Sequence, residues 1–171
     1  TAGDVMQYQI GYLNTYGNAE ILATKIEQYL PIGSSTMTDI ATEPLFGTAD
    51  VFLVCFEMTR EAVPLEIMEA LELLEGKRIA LFVLCAAKTE NEKRDVERRL
   101  IPFLPDQCDY KGLFTCMGQM PSAIKNSVDE ILSTQPENPQ AIVLDRIYHQ
   151  SLGHPDEEDF SLLRKFLQDV I

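Results

Sequence analysis

Two nearly unbroken apolar runs constrain this chain more than any other feature: "DVFLVCF" at residues 50–56 and "IALFVLCAA" at residues 79–87. A strand with one face in water alternates apolar and polar side chains, whereas a run that is apolar throughout has both faces covered. Two such runs with a helical pattern between them predict a sheet held between helix layers. The rest of the chain keeps to that alternation. Residues 5–13 read as a strand, and residues 18–30 follow with Ile21/Leu22, Lys25/Ile26 and Tyr29/Leu30 at helical spacing until Pro31 stops them. The Thr-rich residues 35–41 form a short candidate strand. Residues 64–75 put Ile67, Met68, Leu71 and Leu74 on one helix face, with Gly76 as the stop. A charged helix over 90–104 turns Val96, Leu100, Phe103 and Leu104 inward. The strand "GLFTCMG" at 112–118, a helix over 121–132, the polar stretch "STQPENPQ" and an amphipathic helix over 157–171 complete the series.

Strands that alternate with helices pair in parallel through right-handed crossovers. Five strands and about five helices in 171 residues predict one α/β domain spanning 1–171. The expected architecture is a three-layer α/β/α sandwich, its five-stranded parallel sheet in the order 2-1-3-4-5, with an extra C-terminal helix. Ligands in such sheets sit outside the carboxyl ends of the strands, at the point where strand order reverses. Here that point lies beside the first and third strands, so the turn at 14–19 and the loop at 55–63 should meet there.

Charge and composition narrow the function classes. A formal net charge of −13 argues against nucleic acid or an anionic membrane as partner, since both need a basic footprint. An acidic surface is instead steered toward basic protein partners. No apolar run approaches the roughly 18–20 residues that span a bilayer, and the first residues lack a basic, then apolar, leader; a cytoplasmic location is the default expectation. Cys55, Cys85, Cys108 and Cys116 have no metal-ligand spacing and read as reduced, compact core residues. A thiol nucleophile needs a base beside it, and His149 and His154 sit in no ligand-like or catalytic cluster. No catalytic or metal residue is therefore assigned. The glycine-rich dinucleotide fingerprint and the Walker loop are both absent.

The turn "NTYGNAE" at 14–20 opens the first helix. Unpaired N–H groups and a positive dipole end make such a junction a phosphate site. Equally, "YGN" reads as a plain strand-to-helix turn with Asn18 as N-cap. Position by position the turn resembles the hydroxyl-rich phosphate turn of the flavodoxins, approximately Ser/Thr-x-Thr-Gly-Asn-Thr-Glu. Gly17, Asn18 and Glu20 match it. Asn14, Tyr16 and Ala19 stand where short hydroxyl residues are expected, and Thr15 retains one. Each hydrogen bond to a charged phosphate is worth roughly 1.5–3 kcal/mol, so the substitutions weaken the grip unless Asn14 or Tyr16 donates instead. The segments "GLFTCMGQMPSAIKN" at 112–126 and "HPDEEDFSLLRKF" at 154–166 further resemble a bacterial flavodoxin-like subfamily with a "CQGKIDP"-like strand end and an "HPxEED" C-terminal helix. The same tail reads physically as a helix start, with Pro155 in the first turn and acids facing the dipole.

The resemblance implies an FMN-binding electron-transfer protein of the flavodoxin type. Asn14, Thr15, Tyr16, Gly17, Asn18 and Ala19 would hold the phosphate. Phe56 and Met58 would lie against the flavin ring, Cys85, Ala86 and Ala87 at its pyrimidine edge, and Glu57, Arg60 and Glu61 on the rim. Phe56 also reads as the last core residue of its strand. The implied partners are redox proteins with basic docking surfaces. The alternative is a flavodoxin-fold protein that has lost flavin and serves as a non-enzymatic partner or regulatory module. A third option is an FMN-dependent reductase with its own small substrate, although a carrier is the closer match.

Overall fold

A computed structural model of the chain describes residues 5–58 and 62–171. Strands β1 (Tyr8–Leu13), β2 (Ser35–Asp39), β3 (Val51–Glu57), β4 (Arg78–Leu84) and β5 (Asp109–Cys116) form one sheet in the order β2-β1-β3-β4-β5. Every pairing is parallel. The predicted order is therefore the observed one. Helices α1 (Asn18–Tyr29), α2 (Leu65–Glu72), α3 (Glu90–Leu100), α4 (Ser122–Thr134), α5 (Pro139–Ser151) and α6 (Glu157–Val170) connect and cover it. A 3-10 turn, Ile101–Phe103, continues α3, so the helix predicted over 90–104 tightens at Pro102, which has no N–H to give.

The period of two along the strands divides the core into two clusters. Val51, Leu53 and Cys55 of β3 face the cluster that takes in Leu22 and Ile26 of α1 and Leu163 and Leu167 of α6. Phe52, Val54 and Phe56 face the other, with Ile67 and Leu71 of α2 and Val96 and Leu100 of α3. All seven residues of β3 are buried, as the unbroken apolar run requires of a strand central to the sheet. Helix α6 lies on the first face. Its Phe166 meets Phe82 edge-on at 5.4 Å between ring centroids and Phe114 at 5.9 Å. Such pairs add about 0.5–1.5 kcal/mol each beyond their buried area.

Two elements differ from expectation. Residues 139–151 form a full helix, α5, where no element was assigned. It leans on α4 and leaves Ile142 and Val143 exposed, so its sequence carries no clean apolar stripe. A signal is nonetheless present, because Asn138 caps the helix through Ala141 N–H and Pro139 occupies its first position. At the start of α6, Pro155 precedes the N-cap instead of standing in the first turn. Asp156 caps the helix and exchanges bonds with Asp159 in a capping box. No helix among the described residues is long and apolar enough to cross a membrane.

Candidate functional site

The switch point lies between β1 and β3, where Leu13, the last residue of β1, pairs with Phe56 and β3 runs one residue further, to Glu57. Alternation turns residue 57 to the same side as Leu53 and Cys55, which is the side of α1. Glu57 is thereby directed under the turn that follows β1, and it is only 5% exposed. Its Oε2 accepts the backbone N–H of Thr15 at 2.6 Å and of Tyr16 at 2.7 Å. Its Oε1 accepts Asn18 Nδ2–H at 3.0 Å. Three donors on one buried carboxylate satisfy a group that would otherwise be very costly to remove from water.

The expectations for individual residues change accordingly. Glu57, which the resemblance puts on the rim of the flavin site, is instead the buried centre of the turn. Asn18 was read as the N-cap, but it is the first residue of α1, behind Gly17 in the left-handed region at φ 90°. Its side chain points inward and bridges Glu57 to the carbonyl of Gln119, also at 3.0 Å. Capping falls to Asn14, whose Oδ1 accepts Glu20 N–H at 2.9 Å. Asn14 was expected to donate to a ligand, and here its side chain accepts from the helix. Thr15 and Tyr16 have exposed side chains, Gly17 is half-buried and Ala19 is fully buried.

The residues expected around a flavin ring gather on the α2/α3 face, opposite the side of α1. Phe56 is wholly buried on the α2/α3 face, with Leu71 and Val83 in the same cluster, so it is not presented on the side of the turn. The structure thus bears out its reading as the last core residue of β3. Met58 is nearly buried in that cluster, its N–H bonded to Leu84 O at 2.9 Å. Cys85 and Ala87 are half-buried and Ala86 is exposed, at the end of β4 beside Met58. Arg60 and Glu61 lie outside the described residues. Burial pushes the Cys55 and Cys116 thiols well above their ordinary value, which suits packing residues and not nucleophiles.

The loop after β5 closes the arrangement from the far side. Gln119 accepts from Asn18, takes Gly153 N–H on its Oε1 and donates its own N–H to His154 O. Ser151 Oγ accepts Met120 N–H. His154 Nδ1 lies 2.6 Å from Asp159 Oδ2, so this histidine is part of the start of α6. Two surface hollows, of about 340 Å³ between α2 and the 3-10 turn and about 620 Å³ at the amino ends of β3 and β4, include none of these residues.

An FMN phosphate seated as the resemblance implies would call on the leading amides of this turn. Those of Thr15 and Tyr16 already hold Glu57, and the Glu20 amide holds Asn14. A dianion on the same two amides would also stand against a buried carboxylate. With Glu57 in place, this part of the turn does not fit a phosphate. The ring side, where Met58, Cys85 and the small Ala86 and Ala87 meet, carries no such obstacle.

The fold is shared with solved flavodoxins. A short-chain flavodoxin associated with a non-canonical PDU bacterial microcompartment superposes with a TM-score of 0.56 and 16% identity over 97% of each chain. The flavodoxin of Streptococcus pneumonia TIGR4 superposes with a TM-score of 0.55 and 15% identity, over 96% of this chain and 97% of its own. In sequence, the Flavodoxin-like domain-containing protein BilS of Clostridium symbiosum is 30% identical over 64 residues, which span 37% of this chain and only 34% of that relative's length. Over residues 9–168 the chain matches the Flavodoxin domain, and it belongs to that family.

Proposed function

We propose that this chain is a flavodoxin-like electron-transfer protein whose redox group is a flavin taken at the carboxyl edge of the sheet. FMN is the form implied by the resemblance. The observation that supports this reading is the switch point itself. β1 and β3 part there, Gly17 opens α1 in the left-handed region, and the ends of β3 and β4 bring Met58 beside Cys85. When bound, the flavin supplies the redox chemistry, and the protein positions it and shields it from water. Among this chain's own residues, the buried thiols offer no competing nucleophile. A net charge of −13 favours basic patches on redox partners.

The test is direct. Purified protein titrated with FMN and, separately, with riboflavin should quench flavin fluorescence, perturb the visible flavin bands and raise the melting temperature. Absence of all three with both flavins sinks the reading. Its alternative, a flavin-free partner module, would then account for a turn that binds its own carboxylate.

A further inference from the structure

We infer that Glu57 is the specificity-determining residue of this site: its carboxylate permanently occupies the anion position of the 14–19 turn, so the site rejects phosphates and takes a neutral, non-phosphorylated flavin. The ligand class rests on the flavin reading above, whereas the exclusion of phosphate does not. Four observations converge. Glu57 is buried and satisfied by three donors at 2.6–3.0 Å. Two of these are the backbone amides that open the turn, which no substitution at 15 or 16 other than proline removes. The third, Asn18, is fixed by a second bond to Gln119 O and by contact with Gly118, where even a Cβ would lie 2.7 Å from Asn18 Nδ2. Finally, strand alternation on β3 directs the Glu57 side chain to the α1 face, so it cannot pass to the opposite face without breaking the register with β1 and β4.

The competition is uneven. An internal carboxylate has already lost its freedom in folding, whereas an incoming phosphate must displace two charge-assisted hydrogen bonds and then sit beside the charge it displaced. This accounts for the loss of short hydroxyls at positions 14, 16 and 19, since a turn that binds no phosphate has no use for them.

The test uses the full chain and two probes. Inorganic phosphate is titrated while the backbone N–H signals of Thr15, Tyr16 and Gly17 are followed by NMR, in the wild type, in E57S and in E57Q. E57S frees both amides. E57Q keeps the bulk and removes the charge, and so serves if the shorter side chain compromises folding. Wild-type signals should not move, and those of at least one variant should shift saturably. Movement in the wild type, or no movement in any folded variant, overturns the assignment. With flavins, the wild type should bind riboflavin at least as tightly as FMN, and a variant should favour FMN by about tenfold relative to the wild type. FMN binding tenfold tighter than riboflavin in the wild type overturns the ligand class. If neither flavin binds while phosphate reaches the turn only in the variants, the flavin reading falls and the assignment of Glu57 stands.

Discussion

Gly118, in the loop after β5, lies against the Asn18 side chain so closely that a Cβ there would meet Nδ2 at 2.7 Å and Cγ at 2.9 Å. Asn18 cannot retreat, because its amide is bonded on one side to Glu57 and on the other to Gln119 O. The first turn, the end of β3 and the loop after β5 are thus locked through one amide group. G118A should overpack this point and cost about 1–3 kcal/mol. A shift of the urea midpoint at constant slope measures it, and an unchanged midpoint would mean that Asn18 moves freely.

Truncating Asn18 removes the donor and leaves two acceptors behind. N18A should cost about 1–3 kcal/mol for each acceptor left without a partner. N18D should cost more, because it brings a second carboxylate against Glu57 Oε1. Chemical denaturation of the three proteins side by side gives the order. If N18D is as stable as N18A, the Asn18–Glu57 contact is not present in solution.

The thiols give a pH-dependent prediction. Burial raises Cys55, and burial with the nearby Asp159 charge raises Cys116, both from an ordinary value of 9.0. In the unfolded chain these thiols ionise near the ordinary value, and in the folded protein they keep their protons. The folded state therefore holds more protons above that value, and stability falls as pH rises past about 9. Alkylation followed by mass spectrometry should find Cys55 and Cys116 unmodified in the native protein at pH 8 and modified in urea. Native labelling of either at the rate of a free thiol would contradict their burial.

Asp156 titrates in the opposite sense. The Asp159 backbone N–H that it accepts holds its carboxyl below the usual carboxylate value of 3.8. Its contribution is therefore present above that value and lost as pH falls through the folded one. D156N keeps a capping oxygen without the titration. Melting curves from neutral pH down to about pH 3 should show a smaller acid-induced decline for D156N than for the wild type, whereas D156A should melt lower at neutral pH.

The layers, the strand order and five of the six helices among the described residues are legible in the sequence because burial writes itself as periodicity. "DVFLVCF" has to be a covered strand, and Ile67, Met68, Leu71 and Leu74 have to share a helix face. Helix α5 is not legible by that criterion, since it packs on another helix and leaves apolar residues in water; its start is written only in Asn138 and Pro139. The site is legible as a location. The role of Glu57 is half-legible, because counting in twos from Leu53 through Cys55 puts residue 57 on the α1 face, while Phe56 falls on the opposite one.

By itself the sequence determined a parallel sheet between helix layers and a turn beside β3 that could serve as an anion site, because those features depend on the order and spacing of neighbouring residues. Only the tertiary structure decided what fills that turn. Thr15 and Glu57 are 42 positions apart, and whether an amide proton and a carboxylate oxygen meet at 2.6 Å depends on the register between β1 and β3. A hydrogen bond forms only within a few tenths of an ångström of its optimum, and no local pattern in the chain carries that precision.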